Sequence, residues 1–323
     1  MIYIDSDSLS AHFNLALEYY LATEKIINDT VVFLWRTSPT VVIGKFQNAL
    51  EELDRQYTEE KGICIARRMS GGGTIYNDEG GLMFTYIVPE NKPEIDFLSF
   101  ITPVIDALNK MGVPASASGR NDILVDGKKV SGNAQYKTGG VTVHHGTLMF
   151  DVDIGEVVRS TTPKPYKITS KSIRSVRERV TNIREHLPAG TDMTREEFKA
   201  RLADELAGDC PRLVLSDADL TRVREIAKEH FIHNVWQAQP HFSIEKILHL
   251  PGGTMEFSLE TRQNRILSAH ITGDFFGSVD AAEICTLLTD TELEEKALTD
   301  ALAPLAGRIL GITPSEIARG LCE

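Results

Sequence analysis

Cysteine is scarce in this chain, and none of it is paired in sequence. The four cysteines, Cys64, Cys210, Cys285 and Cys322, form no C-x-x-C pair. Neither a dithiol motif nor a thiolate zinc cluster is therefore indicated, and a reduced, cytoplasmic setting is the simplest expectation. Long apolar runs are missing too: nothing approaches the roughly 20 residues that span a bilayer. The opening residues, Met1-Ile2-Tyr3-Ile4-Asp5-Ser6-Asp7, lack the basic and apolar regions of a signal peptide, so no membrane role is expected. Positive charge is short. The formal net charge of −12 argues against general nucleic-acid affinity. Neither the P-loop pattern nor the dinucleotide-binding glycine pattern occurs, and no serine sits in a G-x-S-x-G elbow.

What is present suits a globular protein. The apolar share is 42% and the charged share 25%, and 323 residues are ample for two domains. Helical spacing of Phe13, Leu17 and Tyr20 predicts a helix over 11–25. Apolar runs predict strands at 31–35, 41–44, 63–66, 81–88 and 141–152. A helix is expected over 95–110, stopped by Gly112. Asp126-Gly127 between 123–125 and 129–130 reads as a two-residue hairpin turn. Thr194 and Glu197 form a capping box ahead of one helix, and a second is expected over 216–230. Prolines and glycines at 236–251 mark a boundary, with a hinge near 244–253. Beyond it, strands near 255–259 and 266–272 and helices over 281–288 and 292–310 predict a small second unit. The division is 1–243 and 244–323. The second unit holds 13 acidic and 6 basic residues, so over half of the net charge of −12 sits there.

Three stretches carry the chemistry. In Arg67-Arg68-Met69-Ser70-Gly71-Gly72-Gly73-Thr74-Ile75-Tyr76-Asn77-Asp78, three consecutive glycines remove every Cβ, so backbone N–H groups can converge on an anion. A plain tight turn is the other reading of the triplet. Alternation turns Arg67 and Arg68 to opposite faces, leaving one to reach a ligand. In the second stretch, Lys129 stands just past the hairpin turn, ahead of Ser131-Gly132 and Ala134. A lysine beside a phosphate and a carbonyl oxygen stabilises charge that grows in a transition state; a solvated turn lysine is the alternative. Asn121 and Asp122 are candidate ligands for a base, a ribose or Mg²⁺, and equally ordinary turn residues. The third stretch is His144-His145-Gly146-Thr147-Leu148, where both histidines read first as hydrogen-bonded core residues. One block opposes the acidic average: Arg159, Lys164, Lys167, Lys171, Arg174, Arg177, Arg179 and Arg184 face only Glu178. It is either a docking surface or a solvated basic face.

In order and spacing, these stretches resemble lipoate–protein ligase A. So do Val42-Ile43-Gly44-Lys45-Phe46-Gln47-Asn48, Ser170-Lys171-Ser172-Ile173-Arg174-Ser175-Val176-Arg177 and Ile271-Thr272-Gly273-Asp274-Phe275-Phe276. The resemblance implies an α+β fold, with a mixed sheet flanked by helices in the catalytic domain and a small C-terminal accessory domain. It implies ATP-dependent ligation: lipoate and ATP with Mg²⁺ give lipoyl-AMP, and the lipoyl group passes to a lysine of a 2-oxoacid dehydrogenase E2 lipoyl domain or a glycine-cleavage H protein. Lys129 is then the catalytic residue. Arg68, Gly71, Gly72, Gly73, Thr74, Ile75, Tyr76, Asn77, Asp78, Asn121, Asp122, Ser131, Gly132 and Ala134 surround ATP or lipoyl-AMP. Gly72, Lys129, His145 and Gly146 meet lipoate, and Asp122 holds Mg²⁺. Lys164, Lys167, Lys171, Arg174 and Arg177 are candidates for docking the acceptor. The chain departs from the family pattern at Asn77 and Gly81, where His and Asn are usual, and at Ser172 and Ala238, where glycine is. Rival readings are an ATP-independent lipoyl or octanoyl transferase of the same fold and a non-catalytic lipoate-binding protein. No cysteine lies between Cys64 and Cys210, where a thioester-forming transferase would need one.

Overall fold

The structure is a computed structural model that describes residues 1–323 except 26, 90–94, 120, 162–177 and 237–241. The chain begins with β1 (Ile2–Asp5), α1 (Ala11–Thr23), β2 (Val31–Trp35) and β3 (Thr40–Ile43), then α2 (Ala49–Glu52) and α3 (Arg55–Lys61). Next come β4 (Cys64–Arg67), β5 (Ile75–Asn77), β6 (Gly81–Val88), α4 (Leu98–Lys110), β7 (Ala115–Ser118) and β8 (Asp122–Val125). They are followed by β9 (Lys128–Thr138), β10 (Val141–Met149), α5 (Ile154–Ser160), α6 (Arg195–Ala207) and α7 (Asp217–Ile226). The last part holds β11 (Ile244–Leu250), β12 (Gly253–Arg262), β13 (Arg265–Gly273), α8 (Ala281–Leu288), α9 (Glu295–Leu302) and α10 (Pro314–Cys322).

Seven strands form one mixed sheet in the order β1-β2-β6-β10-β9-β8-β7. Only the β1–β2 pair is parallel. Alternation along β2 explains why both faces are covered. Val32 and Leu34 pack with Ile101 and Leu108 of α4 and Phe198 and Leu202 of α6. Val31, Phe33 and Trp35 pack with Leu15, Leu17 and Leu21 of α1 and Val223 of α7. A small sheet, β4-β3-β5, carries the glycine loop between β4 and β5. From residue 244 a third, antiparallel sheet, β11-β12-β13, builds its own core from Met255, Phe257 and Leu259 against Ile284, Leu298 and Ile317. The architecture is α+β, as expected.

Local chemistry moves several boundaries. The helix expected over 95–110 begins at Leu98, with Asp96 accepting the Ser99 N–H at 3.1 Å, and ends as expected at Lys110, two residues before Gly112 with φ +85°. The strand expected over 141–152 ends at Met149, where Asp151 N–H turns to the Gly80 carbonyl. The helix expected over 216–230 is α-helical to Ile226 and then widens into a π turn, Ala227–Phe231. Where a hinge was expected, β11 is fully paired with β12. The helix expected over 292–310 stops at Leu302, because Pro304 cannot continue it. α10 was not anticipated; Thr313 caps it reciprocally with Glu316, and Pro314 occupies the first turn.

Candidate active site

The glycine loop is held by the two arginines that precede it. Arg68 is buried, and its guanidinium donates to the carbonyls of Val42, Gly71 and Gly73 at 3.2, 2.7 and 2.8 Å. Arg67 donates to the carbonyls of Gly44, Lys45 and Gln47 at 2.8, 3.2 and 2.7 Å. Arginine suits this task because its fork presents several donors in fixed directions. Burial, reinforced by Arg67 beside it, pushes the Arg68 guanidinium down to about 10, so it stays charged near neutrality.

The second unit covers part of the loop. Gly72 N–H donates to the Phe275 carbonyl at 3.3 Å, and a Cβ on Gly71 would lie 2.1 Å from that oxygen. Phe46 stacks on Phe275 with ring centroids 4.4 Å apart, and Lys45 pairs with Asp280. These glycines thus admit a protein backbone, where their sequence suggested an anion. Gly73 alone of the three has open space where a Cβ would stand.

Lys129 owes its direction to a bulge. Leu124 pairs with Lys129 but Ile123 with Ser131, which leaves Val130 unpaired. The extra residue resets the pleat. Lys129 and Gly132, three apart, therefore share a wall that strict alternation would deny them. The lysine folds over Gly132, its Nζ 3.1 Å from where a Cβ would stand, and pairs with Asp122 at 2.8 Å.

Lys129 borders a cavity of about 570 Å³, counting its open mouth. Of the residues singled out in the sequence, Arg68, Gly73, Thr74, Ile75, Asn121, Lys129, Gly132, Ala134, His145 and Gly146 line it. Gly71, Gly72, Asp122 and Ser131 do not, although Asp122 touches Lys129. Tyr76, Asn77 and Asp78 also stand off the cavity. Tyr76 alternates away from Ile75 into a separate core with Val41 and Ile43. Asn77 is buried, and its Nδ2 donates to Thr37 Oγ1 at 3.1 Å. Asp78 closes a turn, accepting the N–H groups of Gly80 and Asp153 at 2.8 and 3.1 Å. Asn77 and Gly81 belong together: a Cβ on Gly81 would lie 1.7 Å from Asn77 Oδ1. The candidate docking residues Lys164, Lys167, Lys171, Arg174 and Arg177 lie outside the described residues, as do Ser172 and Ala238.

Sequence reasoning missed Leu15, Val42, Met83, Asn133, Thr147 and Phe276 as lining residues. All but Asn133 and Thr147 are apolar, and a cavity-facing apolar residue has the same pattern as a core one. His144 is a core residue, stacked on Phe100 at 4.7 Å; burial holds its imidazole well below the usual range, hence neutral. Among the described residues, no three His, Cys, Asp or Glu side chains gather as a metal site. Magnesium carried by nucleotide phosphates needs only one or two protein carboxylates. Asp122, beside Lys129, supplies one, so the residues present fit that mode.

Sequence and fold comparisons converge on one family. The lipoyl protein ligase A/B catalytic domain matches residues 10–207, and the bacterial lipoate protein ligase C-terminus matches residues 239–321. The chain is 38% identical over 311 residues to lipoate-protein ligase LplJ of Bacillus subtilis, covering 94% of this chain and 93% of that one. Its fold is similar to the crystal structure of P. falciparum LipL1 in complex with lipoate: TM-score 0.77, 22% identity, 96% and 95% of the two chains. It is similar to a bipartite lipoate protein ligase with its E2 lipoyl domain from Thermoplasma acidophilum, TM-score 0.65, 23% identity, 74% and 98% covered. A third is lipoate-protein ligase A bound with ATP, TM-score 0.58, 22% identity, 71% and 93% covered. The chain belongs to the lipoate–protein ligase family.

Proposed function

We propose that this chain is an ATP-dependent lipoate–protein ligase. Its carrying observation is Lys129, folded over Gly132 at the edge of a cavity whose walls are apolar at Leu15, Val42, Met83 and Phe276. Apolar walls suit an acyl chain; an ammonium beside them suits its carboxylate and a phosphate. In the first step a lipoate carboxylate oxygen attacks the α-phosphorus of ATP, and pyrophosphate leaves with the electrons of the broken P–O bond. Lys129 offsets the negative charge that gathers on the phosphorus oxygens. Gly73, Thr74, Asn121 and Gly132 line the space for the nucleotide, and His145 and Gly146 border the acyl chain. Magnesium, held chiefly by the phosphates with Asp122 beside it, would supply further charge neutralisation. In the second step the ε-amine of an acceptor lysine attacks the acyl carbon, AMP departs, and the amine loses a proton.

Residues 1–243 act as the catalytic unit and 244–323 as the accessory one. The acceptor is a lipoyl domain or an H protein, steered by the basic stretch around Lys164, Lys167, Lys171, Arg174 and Arg177 toward an acidic surface. A reducing, cytoplasmic setting suits four free cysteines, none of which lines the cavity. That placement also disfavours a thioester transferase. The test is incubation with ATP, Mg²⁺, lipoate and a panel of acceptors, following AMP and acceptor mass. The ligase produces AMP and lipoylated acceptor together. Modification without ATP from an acylated carrier would establish a transferase, and lipoate binding with no turnover a binding protein.

A further inference from the structure

A continuous buried chain of hydrogen bonds links α1 to the glycine loop. Glu18 is 1% exposed, and both its carboxylate oxygens lie 3.0 Å from His145 Nδ1. Glu18 Oε2 also accepts from Thr85 Oγ1 at 2.9 Å, and Thr85 accepts from Trp35 Nε1 at 3.2 Å. On the other side of the imidazole, Nε2 lies 2.7 Å from Ser70 Oγ. Arg68 Nε donates to that same oxygen at 3.0 Å. The far end of the guanidinium then holds the carbonyls of Gly71 and Gly73.

Serine, histidine and carboxylate in a row suggest an acyl-transfer triad. Burial rules that out, since Ser70 is 1% exposed and does not line the cavity. Ser70 Oγ accepts from Arg68 Nε and shares a hydrogen bond with His145 Nε2, while His145 Nδ1 faces the Glu18 carboxylate. Every member is satisfied, and each fixes the next. A buried carboxylate is costly unless its partners compensate it, and here they include the residue that shapes the glycine loop.

We infer that Glu18 is a positioning residue for ATP: through His145 and Ser70 it orients Arg68, and Arg68 sets the carbonyls and N–H groups of the 71–73 loop. This rests on the ligase reading above. His145 borders the cavity, so changing it would alter the acyl wall directly; Ser70 and Glu18 do not border it and give cleaner tests. Ser70→Ala cuts the link while leaving Glu18 and His145 in place. Glu18→Gln replaces one acceptor oxygen by an NH₂, which must face either the His145 N–H or the Thr85 hydroxyl.

Each variant is expected to raise the KM for ATP in lipoate activation about tenfold, the scale of a lost charge-assisted hydrogen bond. The Kd for lipoate without ATP should stay within about threefold, which also reports a folded protein. The double variant should be no worse than the weaker single one, because both cut one chain. Amide exchange at Gly72 and Gly73 should quicken in Ser70→Ala, independently of turnover. A Ser70→Ala enzyme with the wild-type KM and exchange overturns the relay alone. So do losses that multiply in the double variant, or a changed lipoate Kd with ATP unaffected. Failure of the wild type to release pyrophosphate from ATP and lipoate overturns the ligase reading itself.

Discussion

Lys129→Ala removes the cation placed to meet the activated carboxyl. Nζ pairs with Asp122 at 2.8 Å, and the lysine side chain is 40% exposed. Two unit charges 4 Å apart interact by about 4 kcal/mol at a surface-like effective dielectric of 20. Asp122 already neutralises part of that charge, which places the loss at the lower end of what one electrostatic donor contributes, about 2.7 kcal/mol, or roughly 10²-fold in kcat. The assay is pyrophosphate release with saturating ATP and lipoate, before any acceptor is added. Lys129→Arg should not restore the rate, because a planar guanidinium fork does not reproduce the compact point charge of the ammonium. Retention of more than a third of wild-type activation by Lys129→Ala, in a protein that still binds lipoate, would refute the electrostatic role.

Three other outcomes follow from packing and charge. Burial, with Asp274 and Glu256 nearby, raises the Glu52 carboxyl. A raised folded-state value means stability fully present below the unfolded carboxylate range and lost as pH rises through the folded value. Glu52→Gln should therefore raise the unfolding midpoint at pH 7–8 and lose that advantage as pH falls toward 4–5; a gap that widens on acidification contradicts this. Gly71→Ala drives a Cβ against the Phe275 carbonyl. It should cost about 1–3 kcal/mol and speed amide exchange at Gly72, whose N–H that carbonyl accepts; unchanged exchange would remove the junction as described. Gly81→Ala should cost a similar 1–3 kcal/mol by displacing Asn77. Chemical denaturation should show the Asn77→Ala, Gly81→Ala pair to be less than additive, and strict additivity would disprove the contact.

Much of the fold was legible because local rules were strong. β6 spans the 81–88 run predicted from hydrophobicity, and α8 the 281–288 helix. The Asp126-Gly127 turn takes positive φ at both positions, as a two-residue hairpin requires. Boundaries failed where a single residue decided them, as at Pro304. In the candidate site, Gly73, Asn121, Lys129 and Gly132 share one cavity, while Gly71, Gly72 and Asp122 stand off it. Residues that adjoin a motif divide: Thr74, Ile75 and Ala134 reach the cavity and Tyr76 does not. Tyr76 follows Ile75 on a strand, so alternation turned it into another core.

Sequence by itself determined the family, the strand and helix types and the lysine beside a small-residue run, because these reside in nearest-neighbour chemistry. The tertiary structure decided what faces what. The bulge at Val130 brought Lys129 over Gly132, and Phe275 closed on Gly71 from about 200 residues away in sequence. The fold also buried Glu18, far from every motif, against His145 and thereby behind Arg68. No local pattern marks such a carboxylate: on a helix read alone it is one more polar residue, and only the packing that removes its water makes it matter.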